Sequence, residues 1–162
     1  MSMKSQKCLP LPATAGRGAG ERGVLGVLVV AMLAACEPEP SFPADYAKSY
    51  SEVRNCRPST EHDSHNIRII ASPSALAPYR DRDAGFPVGA VVLKEERDYG
   101  DVNCSGPVLL WTSMTMQSDG GWLWQSVSPE RRVTGTNESR CIGCHANCGQ
   151  PPDGFAGTCA VP

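Results

Sequence analysis

Near its carboxyl end the chain carries Cys141-Ile142-Gly143-Cys144-His145, and no other feature restricts it as strongly. In a Cys-x-x-Cys-His run one helical turn separates two thiols. Both can then reach the vinyl groups of a porphyrin while the next residue sets its imidazole beneath the iron. The spacing predicts one covalently attached c-type haem, bound through Cys141 and Cys144 with His145 as an axial iron ligand. Two other chemistries suit the same residues. Cys141, Cys144, His145 and Cys148 have the donor types of a tetrahedral zinc site, and the cysteines could instead be disulfide half-cystines beside an incidental histidine. Exported chains seldom keep zinc thiolates, so the compartment matters.

The amino-terminal residues point to export. Residues 1–23 carry Lys4, Lys7, Arg17 and Arg22 against one acid, Glu21, and the run from Val24 to Leu33 is apolar apart from Gly26. Such a run is too short for a stable bilayer-spanning helix and suits the core of a secretory signal. It ends in Leu33-Ala34-Ala35-Cys36, which resembles the bacterial lipobox, where cleavage precedes a cysteine carrying a diacylglycerol. An ordinary small-residue cleavage site before a cysteine is the alternative. The expected organisation is a lipoprotein signal peptide over 1–35, a stiff proline-rich tether over 36–44 with Pro38, Pro40 and Pro43, and one domain over 45–162. Lipidated Cys36 would hold that domain in the bacterial periplasm, and Glu37 in place of aspartate favours the outer membrane. From residue 36 onward sixteen acidic residues face eleven basic ones, a net charge of −5, with no basic run to engage nucleic acid.

Of the eight cysteines, Cys8 leaves with the signal, Cys36 takes lipid, and Cys141 and Cys144 belong to the motif. Cys56, Cys104, Cys148 and Cys159 remain, and in an oxidising compartment four cysteines suggest two disulfides with three pairings open. Cys148 with Cys159 closes a short loop just after the motif and leaves Cys56 for Cys104, which is the preferred arrangement.

Along the domain, Asp45 to Val53 has helical composition, ended by Cys56-Arg57-Pro58. Asn66 to Ala71 alternates Ile67, Ile69 and Ala71 against Arg68 and Ile70, a strand pattern. Ser72-Pro73 reads as an N-cap with proline at the first helical position, opening a short helix to about Ala77. Gly89 to Arg97 and Val108 to Met116 read as strands, and Ser118-Asp119-Gly120-Gly121 supplies the turn before a returning strand from Trp122 to Val127. After Pro129 the periodicity fades, and glycine and proline between Gly149 and Gly157 argue against a long terminal helix. The fold class is α+β: a mainly antiparallel sheet with a few short helices around the haem.

Only 17 residues follow His145 and none is methionine, so a downstream methionine cannot be the sixth iron ligand. Met114 and Met116 could serve only from the upstream sheet, where packing on the face of Val108 and Leu110 is the commoner role. The iron would be five-coordinate or hold an exchangeable ligand, a state that binds small molecules as well as passing electrons. His62 and His65 precede the sheet and read as surface residues.

Phe86-Pro87-Val88-Gly89-Ala90-Val91-Val92-Leu93-Lys94-Glu95, then Gly106-Pro107, then Trp122-Leu123-Trp124, then the late Cys141–His145 motif resemble the cytochrome P-460 family, which includes the cytochromes c′-beta. The likeness runs over roughly residues 66–146. It implies a mainly antiparallel sheet packed with helices around one haem. It also implies that Lys94 matches the lysine that, in cytochromes P-460 proper, forms an extra covalent bond to the macrocycle; other members lack that bond. Lys94 shares a strand face with Ala90 and Val92, so an interior face would partly desolvate its amine; otherwise it is a strand-end lysine reaching water beside Glu95 and Glu96. Arg68 matches an arginine that the resemblance puts near the haem pocket, though a salt bridge to an acid or a haem propionate fits its spacing equally. Trp111, Phe86 and Met114 are candidates for the distal wall or for plain core. No acid occurs between Val108 and Gln117, so a proton-relaying acid found there in hydroxylamine-oxidising members is missing.

Three functions follow as expectations. The first is a haem oxidoreductase acting on hydroxylamine or a related small nitrogen compound. The second is a non-catalytic cytochrome that binds nitric oxide or passes electrons to a redox partner protein, either form open to homodimerisation. The third is a disulfide-stapled lipoprotein without haem.

Overall fold

A computed structural model describes residues 37–149 and 154–160. The expected signal segment, with Cys8, and Cys36 lie outside these residues. Six strands follow one another in chain order and pair as a single antiparallel meander: β1 (Ser51–Pro58), β2 (Asn66–Ala71), β3 (Val91–Arg97), β4 (Leu110–Met116), β5 (Trp122–Val127) and β6 (Val133–Thr136). Two short helices complete the α+β architecture, α1 (Pro73–Asp81) between β2 and β3, and α2 (Ser139–His145) after β6. No helix among the described residues is long and apolar enough to cross a membrane.

Both faces of the sheet are covered, so neighbouring apolar residues such as Ile69 and Ile70 on β2, or Val91, Val92 and Leu93 on β3, are all buried although they point to opposite sides. On one face Ile69, Ala71, Val92, Met114 and Met116 pack with Ala75 and Tyr79 of α1. On the other, Ile70, Val91, Leu93 and Val127 pack against Phe42 and Tyr46. The segment expected to be a free-standing tether is therefore docked from Glu39 onward. Its backbone pairs with Gln125, through Ser41 N–H to Oε1 at 2.7 Å and Nε2–H to the Glu39 carbonyl at 3.1 Å. Phe42 is 2% exposed, with the Arg131 guanidinium 4.1 Å from its ring centre. Burying an aromatic ring outweighs the proline-imposed stiffness that suggested a spacer.

The helix expected over Asp45 to Val53 does not form. A single 3-10 turn, Tyr46–Lys48, gives way to β1, which pairs with β2 from Ser51 opposite Ala71 to Pro58 opposite Asn66. Helical propensity is worth tenths of a kcal/mol per residue, and the unpaired edge of β2 together with burial of Val53 overrides it. Helix α1 starts where its sequence indicates, with extended Ser72 before Pro73. The Ser72 hydroxyl makes no capping bond, however: its Oγ accepts the Val91 N–H at 3.0 Å and ties α1 to β3. The helix also passes Ala77 to reach Asp81, where Arg82 turns into the left-handed region and its N–H finds the Pro78 carbonyl. Strand β6, weak in periodicity, gains its place by pairing with β5.

Cys56 is bonded to Cys104 and Cys148 to Cys159, the preferred pairing.

Candidate functional site

On the α1-facing side of the sheet a cavity of about 520 Å³ opens among β2–β5, the 3-10 turn Thr60–His62, α2 and residues 158–160. That volume lies within the roughly 300–1,000 Å³ typical of small-molecule and cofactor sites. Helix α2 supplies one wall. Cys141 and Cys144 stand one turn apart and both line the cavity, with unpaired thiols, while every other described cysteine is in a disulfide. Burial, with Glu138 nearby, pushes the Cys141 thiol up. Because Cys148 is bonded to Cys159, it is lost as a fourth zinc donor.

His145 also faces the cavity, its ring 4.6 Å from that of Trp124 between centres. Its Nδ1 lies 2.7 Å from the Gly157 carbonyl. A carbonyl can only accept, so Nδ1 carries the proton and Nε2 keeps its lone pair, which is the tautomer and orientation of a metal-ligating histidine. Burial holds the ring below its ordinary pKa, favouring that neutral form. Gly157 can present its carbonyl there because glycine tolerates its φ of +87° and because Phe155 and Thr158 pair across the turn.

Lys94 lies opposite the cysteines, on the β3 face it shares with Val92, so the interior reading of that face holds. Burial, only partly offset by Glu96 and the two thiols, pushes its amine down to about 8. Nζ donates to His62 Nε2 at 2.6 Å. The two histidines read as surface residues are thus both half-buried, and His62 lines the cavity. His62 is held at about 3, first by burial and then by the Lys94 charge, and His65 Nδ1 pairs with Glu96 Oε2 at 3.1 Å. Sequence pattern marked neither, because their place depends on a loop folding back onto β3.

Other expectations shift sides. Arg68 faces away from the cavity and binds buried Glu95 at 2.6 Å, the salt-bridge reading of its spacing. Trp111 lies on that same far face, its indole N–H donating to the Tyr46 hydroxyl. Alternation along β2 and β4 puts both residues opposite the cavity-lining Ile69 and Met114. Phe86 packs with Trp122 and Phe155 instead of lining the cavity, Met116 stays in the apolar cluster, and Met114 alone of these candidates reaches the wall. On β3, Glu96 lines the cavity and accepts from the Thr112 hydroxyl at 3.2 Å.

Fold and site define an α+β domain whose cavity is walled by two unpaired thiols, a ligand-ready imidazole and a buried amine. No family model matches the chain, and no curated protein matches it.

Proposed function

We propose that the chain is an exported monohaem c-type cytochrome of the cytochrome P-460 type, which binds or oxidises small nitrogen compounds such as hydroxylamine or nitric oxide and passes electrons. The observation that carries the reading is the arrangement on α2. Two free thiols one turn apart and a histidine with its Nδ1 proton committed to Gly157 all face one cavity. Cys141 and Cys144 would hold the haem by thioethers and His145 would ligate its iron, with Lys94 the residue positioned for a further covalent link. A bound haem would supply redox-active iron, the chemistry needed to bind or oxidise small nitrogen compounds. The chain's own part is to fix the imidazole through Gly157, to keep water from the cavity with Ile67, Ile69 and Met114, and to present an amine of lowered basicity. Lipidated Cys36 would anchor the domain at the periplasmic side of a bacterial membrane.

One observation favours the non-catalytic form, a nitric-oxide-binding or electron-transfer cytochrome: Arg68, which the family resemblance associates with the haem pocket, is engaged by Glu95 on the far face. The haem-free, disulfide-stapled form is weakened by Cys141 and Cys144 being unpaired while four cysteines pair among themselves.

Protein exported with a haem-attachment system should show a peroxidase-type stain that survives denaturing electrophoresis and acid-acetone extraction. Replacing both Cys141 and Cys144 by serine should abolish it. Colour that extracts fully from the unaltered chain would refute covalent attachment. Turnover of hydroxylamine with an electron acceptor separates the enzyme from the carrier, and a tryptic haem peptide containing or lacking Lys94 decides the cross-link.

A further inference from the structure

Strand β1 carries an arginine that residue order passed over, because the segment before it reads as helix. Glu52 pairs with Ile70, but the next pairing is Arg54 with Ile69, so Val53 is an extra residue between them. In an unbroken strand Val53 and Arg54 would take opposite faces. The bulge lets both serve one side: Val53 packs with Ile69 and Ala71, and Arg54 lines the cavity.

Nothing in the described protein explains that placement by pairing. Arg54 is half-buried, its Nε is closed off from water with no hydrogen-bond partner, and among the described residues its guanidinium meets no carboxylate at ion-pair distance. Two other cations of the cavity wall are engaged, Lys94 by His62 at 2.6 Å and Arg140 by Asp63 at 3.6 Å. Drawing an unmatched guanidinium partly out of water costs energy, which a planar anion in the cavity would offset.

Strand pairing sets Arg54 at the end of a row that crosses the sheet. Arg54 is opposite Ile69, Ile69 opposite Lys94, Lys94 opposite Thr112 and Thr112 opposite Ser126, and all five line the cavity. Ser126 donates to Glu138 at 2.7 Å where α2 begins, so the helix with the two thiols stands at the β5 end of the row. Four strand intervals separate that end from β1, roughly 19 Å along the sheet at the usual spacing.

We infer that Arg54 is the carboxylate anchor of the cavity, binding the acid end of an occupant whose other end lies at Cys141 and Cys144. The inference rests on the haem-protein proposal and names the residue that would meet the propionates, which project from the porphyrin edge opposite the vinyl groups. Arg68 cannot serve, since Glu95 holds it on the other face of the sheet. A guanidinium takes a carboxylate through two parallel hydrogen bonds, so Arg54 would orient the occupant as well as hold it.

Mesoporphyrin IX tests the anchor apart from thioether and iron chemistry, because it has both propionates but neither vinyl groups nor metal. Its binding to the full chain exported without haem attachment is read from quenching of tryptophan fluorescence, with disulfide mapping to confirm the native pairs. Arg54→Gln should weaken mesoporphyrin by about tenfold, the loss of one charge-assisted pair. The same variant should bind the dimethyl ester of mesoporphyrin, which has no carboxylate charge, as the unaltered chain does. Arg140→Gln, at an exposed arginine of the same wall, should bind mesoporphyrin almost as the unaltered chain does. Arg54→Met keeps the apolar stem and is read in the same way should Arg54→Gln fail to form its disulfides. The anchor is overturned if the unaltered chain does not bind mesoporphyrin, if the Arg54 variants bind it undiminished, or if they lose the ester equally. Equal weakening by Arg140→Gln overturns it too. Covalent haem is decided separately by the staining experiment, so a stained protein with undiminished mesoporphyrin binding in Arg54→Gln would refute the anchor alone.

Discussion

Single side chains decide the electrostatics of the cavity. His62 is held near 3 in the folded protein against an ordinary value of 6.5, so between those limits the unfolded chain binds a proton that the folded chain refuses. Stability should therefore fall as pH drops from 6.5 toward 3. The slope is at most about 1.4 kcal/mol per pH unit, and less where solvent reaches the ring. Lys94 has the same sign at the alkaline end. Its amine titrates near 8 when folded and at 10.5 when free, so stability should rise between those values as the unfolded chain alone keeps the proton. Urea denaturation at pH 4, 7 and 9.5 measures both, and His62→Gln should flatten the acid slope while leaving the alkaline one. A His62→Gln protein with an acid slope equal to the parent's would show that the imidazole is not the group responsible. None of this was visible in residue order: His62 and Lys94 are 32 positions apart, and only the turn at Asp63 and Ser64 brings them together.

At the scale of elements, α2 and the terminal turn work as a pair. The helix sets the spacing of Cys141, Cys144 and His145, and Gly157 sets the direction in which the imidazole presents Nε2. A Cβ at Gly157 would sit 3.2 Å from Trp122 Nε1 on a backbone at φ +87°. Gly157→Ala should cost about 1–3 kcal/mol in urea denaturation, and it should lower haem occupancy of the exported protein, because the carbonyl that orients His145 moves with the backbone. Full occupancy in that variant would mean that the histidine is oriented by the motif alone. Strands β2 to β5 were legible because alternation is a local property of four to eight residues, and the hairpin turn through Gly120 was legible from its own chemistry. Strand β1 was not, since its residues favour helix until β2 offers an edge, and β6 was not, since Val133 to Thr136 has little apolar pattern of its own.

For the whole molecule the decisive fact is that the sheet has two covered faces with different occupants. The amino-terminal segment closes one through Phe42 and Tyr46, and α1 with the carboxyl-terminal residues closes the other around the cavity. Phe42→Ala should destabilise the domain by about 3–5 kcal/mol, as expected for emptying a buried aromatic site, and thermal or urea unfolding reads it directly. A loss below about 1 kcal/mol would mean that the segment is a loose tether after all. The same layering assigns Arg68 and Trp111 to the face without the cavity, although alternation alone showed only which residues share a side. By itself the sequence determined the spacing of the two thiols and the imidazole on α2, the hairpin that joins β4 to β5, and the company Lys94 keeps along β3, because these depend on neighbours within one or two turns of chain. Which apolar face encloses the cavity, and that His62, His65 and Glu96 meet there, was decided by tertiary structure. Those contacts join segments about thirty residues apart, and the free energy selecting them comes from burying both faces at once.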